Sequence, residues 1–411
     1  MKRTTSSIYR LKNMEVSEFF LKLLIILLSA KFFAEVFAYL RLPSVLGEVI
    51  AGIIIGPSLL GIIIPDATFH LLAEIGILLL LFEVGLETDV GQLVKVGIQS
   101  SLVAATGVVV PALLGFWISY YVLNLSLLIS LFVGGTLVAT SIGITVRVLV
   151  DLKQHQTKTA KVVLGAAVLD DVVGVVILAV LYDFAVKGTV SITDTAKVLG
   201  FIAAFLLVAP VIAKLFVPLI SKLSSVSKTK GMIPTLIISL ILILAVVSHG
   251  AGAPEILGSF AAGIALARRF FLPFGSTIDH YSHDLAEKIE ENMKPIIELF
   301  VPVFFVIVGA SINLKVVDFT SSTLWYMAGL LTIVAITAKM VSGIWAEGGM
   351  RTKLTTGIAM VPRGEVGLIF AEVGKKSGIF DDMIYAVIVF VVALTTLFAP
   401  LLLRYVVRNE E

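Results

Sequence analysis

The chain has 411 residues, of which 58% are hydrophobic and 15% charged, with a mean hydropathy of +1.05; soluble domains carry about 45–50% apolar and about 25% charged residues. This is the composition of a polytopic membrane protein, and the absence of cysteine excludes disulfides, thiolate catalysis and Cys-ligated zinc or iron–sulfur sites. The net charge of +2 selects no partner, no GxxxxGK[ST] run provides for an ATP-driven pump, and no basic run with interleaved aromatics suggests nucleic acid.

Apolar stretches bounded by charge, Gly or Pro predict about thirteen transmembrane helices, near 19–40, 44–64, 66–86, 97–123, 126–149, 158–186, 195–220, 232–249, 254–271, 295–312, 322–347, 353–376 and 381–405. The basic start, Met1 to Lys12, precedes an apolar stretch containing Lys31 and Glu35 and no A-x-A site, so it reads as a first membrane helix rather than a signal peptide. Between 272 and 294, Tyr281, Leu285, Ile289 and Met293 recur every four residues among Asp284, Glu287, Lys288, Glu290 and Glu291. That pattern predicts an amphipathic linker helix outside the core. His70, His155, His249, His280 and His283 form no metal-ligand cluster; the closest pair, His280 and His283, reads as surface.

Lys and Arg concentrate after the fifth, seventh, ninth and eleventh spans, at Lys153, Lys158, Lys222, Lys228, Lys230, Arg268, Arg269, Lys288, Arg351 and Lys353, with Arg408 in the tail. These segments should be cytoplasmic, placing the N-terminus outside and the C-terminus inside. The basic N-terminal residues Lys2, Arg3, Arg10 and Lys12 argue the other way.

An internal repeat links the halves. Leu46-Gly47-Glu48-Val49-Ile50-Ala51-Gly52-Ile53 parallels Leu257-Gly258-Ser259-Phe260-Ala261-Ala262-Gly263-Ile264, and Leu81-Phe82-Glu83-Val84-Gly85 parallels Phe305-Val306-Ile307-Val308-Gly309. Matching spans are seven apart, so the halves insert with opposite orientation. Such repeats frame their substrate with interrupted helices. The fifth span carries Ala139-Thr140-Ser141-Ile142-Gly143 and the twelfth Met360-Val361-Pro362-Arg363-Gly364-Glu365-Val366-Gly367, and both read as broken. Unwound backbone bares carbonyls for a cation and leaves half-helix ends with partial charges, which Glu365 could compensate at N-termini and Arg363 at C-termini.

The sixth span holds Asp170 and Asp171 in a run that is otherwise apolar or small from Val162 to Leu181. A carboxylate at mid-membrane costs roughly 2.5–3.5 kcal/mol, so the pair points to an ion site. Lys339, deep in the eleventh span, needs a carboxylate partner. Consecutive helical residues point about 100° apart, so one aspartate could face Lys339 and the other an ion cavity. Glu83 is a weaker candidate, read as an interhelical hydrogen-bonding group.

These segments resemble the cation/proton antiporters, specifically the NapA-type sodium/proton antiporters of the electrogenic branch, over nearly the whole chain. Leu42-Pro43 with Leu46-Gly47-Glu48, Ala51-Gly52 and Gly56-Pro57 resembles the family's second helix, and Leu80-Leu81-Phe82 with Val84-Gly85-Leu86-Glu87 its third. Ala139 to Thr145 is similar to the unwound crossing helix, Leu169-Asp170-Asp171-Val172 to the ion-binding helix, and Arg363 to Ile369 to the second crossing helix. The resemblance implies that Asp171 is the principal cation- and proton-binding carboxylate and that Asp170 salt-bridges Lys339. It implies that Thr140 and Ser141 line the crossing, with Glu365 compensating dipoles there, and that the protein is a homodimer whose core domain carries the ion across. The pattern is expected to exclude the glutathione-gated potassium systems, which append a nucleotide-binding regulatory domain.

The expectation is therefore an all-α polytopic membrane protein with inverted repeats and two crossing, partly unwound helices, working as a secondary antiporter rather than an enzyme and needing no cofactor. It would exchange cytoplasmic Na+ or Li+, held by Asp171 and Asp170, for external protons, electrogenically and by alternating access, in the plasma membrane and in the service of pH homeostasis. Potassium/proton exchange in the same fold is the alternative. A cation channel is a remote one, as is an intramembrane aspartyl protease, whose aspartates should come from separate helices. The domain boundaries expected are a tail at 1–18, first-repeat scaffold helices and the start of the core at 19–96, and first-repeat core helices at 97–186. A linker helix at 187–231, second-repeat scaffold helices with the amphipathic linker at 232–294, and second-repeat core helices at 295–411 complete them.

Overall fold

The structure, a computed structural model, describes residues 2–87, 95–187, 192–226, 231–267 and 282–408. Arg268, Arg269, Lys228, Lys230 and His280 lie outside them, as does the first part of the expected amphipathic linker. In chain order the helices are α1 (Lys2–Tyr39), α2 (Ser44–Ile55), α3 (Ala67–Glu87), α4 (Gly97–Trp117), α5 (Leu127–Thr136), α6 (Ile142–Asp151), α7 (Lys158–Lys187) and α8 (Ile192–Leu215). There follow α9 (Val217–Val226), α10 (Met232–Gly250), α11 (Glu255–Leu266), α12 (Ser282–Ser311), α13 (Ser322–Val341), α14 (Met350–Ala359), α15 (Glu365–Lys376) and α16 (Asp382–Arg408). Among the described residues all regular structure is helical, and six helices are long and apolar enough to span a membrane by themselves.

The helices sort by contact into a panel, α1–α3 with α8–α12, and a core bundle, α4–α7 with α13–α16. Panel packing is set by glycines at the repeated positions. Gly52 of α2 lies against Gly309 of α12, and Gly85 of α3 against Gly263 of α11, so closely that a Cβ on any of the four would run into backbone of the facing helix. These are the same residues that the two sequence repeats align. The α2–α12 and α3–α11 crossings are thus pseudo-symmetric copies of one contact, in which small residues let backbones approach. Gly52→Leu should consequently destabilise the protein by about 3 kcal/mol or more, because the helices, not a pliable side chain, would have to move. Thermal melting in detergent checks this; an unchanged midpoint would mean the crossing is loose.

Three local expectations change in the fold. The amphipathic segment is not a separate helix: from Ser282 it forms the first turns of α12, with Ile289 and Met293 wholly buried and Glu287, Lys288, Glu290 and Glu291 exposed. Its polar face meets solvent while its apolar stripe continues the packed face of the tenth span. The seventh span breaks at Phe216 into α8 and α9. The expected N-terminal tail is helical from Lys2 as the start of α1.

Candidate ion-binding site

Both interrupted spans break where expected. α5 ends at Thr136 and α6 starts at Ile142; α14 ends at Ala359 and α15 starts at Glu365. The two non-helical stretches cross and satisfy each other's backbone. Ser141 N–H donates to the Pro362 carbonyl at 2.8 Å, Thr140 Oγ1 to Met360 O at 3.1 Å, and Thr145 Oγ1 to Ala359 O at 2.8 Å. Ser141 also caps α6, its Oγ accepting from Ile144 N–H at 3.4 Å. In an apolar environment each unmet N–H or C=O would cost several kcal/mol, so these exchanges allow the breaks to persist. Gly364 is required at the crossing because a Cβ there would press on the Ser141 side chain.

Arg363 is fully buried. Its guanidinium donates to Ala139 O at 2.8 Å, just beyond the C-terminal end of α5, and to Ala335 O of α13 at 3.1 Å, while the Thr396 hydroxyl donates to the Arg363 carbonyl. A guanidinium suits this place because it presents several donors in a rigid fork and stays charged. The Glu365 side chain lies outside the described residues, and only its backbone, opening α15, is placed.

Asp170 and Asp171 stand in the middle of α7 and diverge. Asp170 is 0% exposed, and its Oδ2 lies 2.8 Å from Lys339 Nζ, itself 0% exposed in the last turn of α13. A cation near a helix C-terminus also meets the negative end of the helix dipole. Thr140 and Arg363 are near the same carboxylate, and Gly107 of α4 leaves room for the lysine head, the position of a Cβ there being 3.5 Å from Nζ. Asp171, buried to 4% exposure, turns instead to a cavity of about 750 Å³. Ile77 and Leu78 of α3, Phe304 and Ser311 of α12, and Val366 and Glu372 of α15 contribute to its walls. Toward the mouth stand His70, Glu74, and the pair His249 and Glu255, joined by a 2.6 Å contact.

The structure thus brings Asp170, Asp171, Lys339, Thr140, Ser141 and Arg363 into one region around the crossing. Two contributors were not singled out in the sequence, Gly107 and Thr396, and Thr145 was named only as the end of the crossing motif. Thr395-Thr396 carried a usable signal, two adjacent hydroxyl residues after a leucine in an otherwise apolar span, at the place in the second repeat where Leu169-Asp170-Asp171 stands in the first.

The opposite side of the core is tied down at its surface. Lys158 at the start of α7 bonds Glu347 at 2.5 Å, and this bond with the charge of Lys158 holds the Glu347 carboxyl below the usual carboxylate range.

Comparison with known proteins agrees with this geometry. Residues 23–409 match the family described as sodium/hydrogen exchanger, transmembrane. The chain is 32% identical to the high-affinity Na+/H+ antiporter NhaS3 of Synechocystis sp., over 95% of this chain and 90% of that protein. It is 34% identical to the Na+/H+-K+ antiporter GerN of Bacillus cereus, over 94% of this chain and 96% of the relative. The fold matches the sodium/proton antiporter MjNhaP1 of Methanocaldococcus jannaschii with a TM-score of 0.67 at 17% identity, over 94% of this chain and 96% of that one. With a family match over nearly its whole length, an all-helical inverted repeat and an acidic pair at crossed, unwound helices, the chain belongs to the sodium/hydrogen exchanger family of monovalent cation/proton antiporters.

Proposed function

We propose that this chain exchanges Na+ or Li+ for protons by alternating access, with Asp171 as the group that binds cation and proton in turn. The observation that carries the reading is the divergence of the two aspartates: Asp171 lines the cavity while Asp170 is buried against Lys339. A carboxylate reachable by water and ions can trade a proton for a cation, and a neighbouring ion pair supplies charge that can rearrange when it does so. Thr140 and Ser141 line the crossing, and Arg363 and Glu365 offset the partial charges of its half-helices. The protein acts in the plasma membrane as a homodimer. Lys153, Arg351 and Lys353 on the far side from the cavity favour a cytoplasmic location for that face, so the cavity opens outward and the C-terminus is cytoplasmic. Glu74, Glu255 and Glu372 at the cavity then concentrate cations from outside.

A second reading, potassium/proton exchange, is favoured by one observation: the Bacillus cereus relative is described as a Na+/H+-K+ antiporter. Selectivity depends on cavity size and ligand field. Proteoliposomes carrying a pH-sensitive dye, challenged in turn with Na+, Li+ and K+, decide between the readings. Response to Na+ and Li+ alone supports the first, and a response to K+ of similar size supports the second.

Two carboxylates and a lysine in one site imply that more than one proton moves per cation, since Lys339 freed from Asp170 can lose its own. Exchange is expected to be electrogenic. Clamping the membrane potential at several values under a fixed sodium gradient should shift the equilibrium pH difference; an identical difference at every potential would establish one-for-one exchange and remove Lys339 from the proton count.

A further inference from the structure

At the end of α2 away from the cavity, three donors converge on one oxygen of a residue 107 positions distant. Ser44 donates to Asp151 Oδ2 through both N–H and Oγ, each at 2.7 Å, and Val45 N–H approaches the same oxygen at 3.4 Å. α2 follows Pro43, which offers no side-chain cap, so the carboxylate from α6 supplies the anion that the helix start lacks. Arg147, one turn back on α6, holds the other Asp151 oxygen at 3.4 Å. One turn into α2 lies Glu48, 1% exposed and with Oε2 unpartnered, with Arg147, Asp151 and Lys31 of α1 the charged groups around it. A second acid buried beside the first is more than a helix cap needs, and it stays dry only while the contact is shut.

The location gives this cluster its meaning. α2 belongs to the panel and α6 to the core bundle, and α6 is the continuation of the crossing at Thr140 and Ser141. Pro57, just past the other end of α2, lines the Asp171 cavity. Ser44 and Ile55 are the ends of a 12-residue helix, so the cluster is about 17 Å from the cavity end. If Asp171 is to be reached from the far face, α2 and α6 must part there. We infer that Asp151 is a positioning residue for transport, a latch that holds α6 of the core to α2 of the panel and keeps the face opposite the cavity closed. The inference rests on the alternating-access reading above.

The cysteine-free chain makes a direct test available. Two reporters are introduced singly into the full-length protein: Val45→Cys, at the latch and 1% exposed, and Ser311→Cys, on the cavity wall. Each is labelled with a water-soluble maleimide in detergent, where both faces are accessible. Adding Asp151→Ala removes charge-assisted bonds that favour one of two states, so labelling at 45 should quicken about tenfold while labelling at 311 slows at least about twofold. Ser44→Ala, which removes one donor and leaves the fold less disturbed, should shift both rates in the same directions by a smaller factor. If both rates rise together in both variants, the cluster merely stiffens the local fold and the inference is overturned; unchanged rates overturn it as well. The reading beneath it is tested separately with the latch intact. Should the two reporters never respond in opposite directions to sodium or pH, alternating access itself fails; if they do respond but Asp151→Ala does not move them, only the latch fails.

Discussion

Asp171→Asn is expected to abolish sodium-driven proton movement while leaving a folded, monodisperse protein. The amide preserves shape and can still bond, but it neither releases a proton nor offers net negative charge to a cation. Losing one member of a buried charge interaction costs about 2–5 kcal/mol, and each 1.4 kcal/mol is tenfold, so exchange should fall by at least about thirtyfold. Asp171 is 4% exposed on the cavity wall and is not the aspartate that meets Lys339, so the substitution leaves the Asp170–Lys339 pair in place. Dye dequenching in proteoliposomes measures the loss, with melting and gel filtration as controls on folding. Exchange within a few fold of the parent protein would remove Asp171 from the ion path and leave the cavity acids Glu74, Glu255 and Glu372 to be tested.

The second large effect is on stability. Lys339→Ala leaves Asp170 as a wholly buried carboxylate without its cation, and breaking a buried pair from one side typically costs about 3–5 kcal/mol. The loss should grow as pH rises and shrink as pH falls, because a protonated Asp170 carries no orphan charge. Adding Asp170→Asn to Lys339→Ala should restore part of the stability for the same reason. Melting curves of the two single variants and the double variant, from about pH 4 to pH 9, give the coupling. Additivity within about 0.5 kcal/mol would mean that the 2.8 Å contact contributes nothing net.

Much of the site was legible because membrane burial makes polar residues conspicuous. Asp170, Asp171 and Lys339 each interrupt an apolar run, and hydrocarbon leaves an ionised group few options besides a partner or an aqueous cavity. The helix breaks were legible because Pro362 and Gly364 sit where a span should continue, and because Thr140 and Ser141 offer hydroxyls to a backbone that has lost its own partners. Arg363 shows where such reading stops. A role at half-helix C-termini could be expected of it, but the partners are Ala139 O and Ala335 O, carbonyls 224 and 28 positions away that carry no sequence signature. Ser44 and Asp151 are still less visible, since a Ser after Pro and an Asp at a helix end each have ordinary local explanations.

The amino-acid sequence by itself determined the helical, membrane-spanning class, the inverted repeat and the two interruptions, because these depend on hydropathy, on backbone chemistry and on spacing along one chain. It also supplied the glycines that pace the repeats. Only the tertiary structure decided which helices those glycines join and that Asp151 reaches across to cap α2; burial alone left open which aspartate turns to the lysine, an assignment the family resemblance implied and the 2.8 Å Asp170–Lys339 contact matches. The reason is physical. Burial cost belongs to a residue and its neighbours in sequence, whereas the direction of a buried side chain is settled by whichever donor or cavity the fold brings against it, and here those donors come from helices distant along the chain.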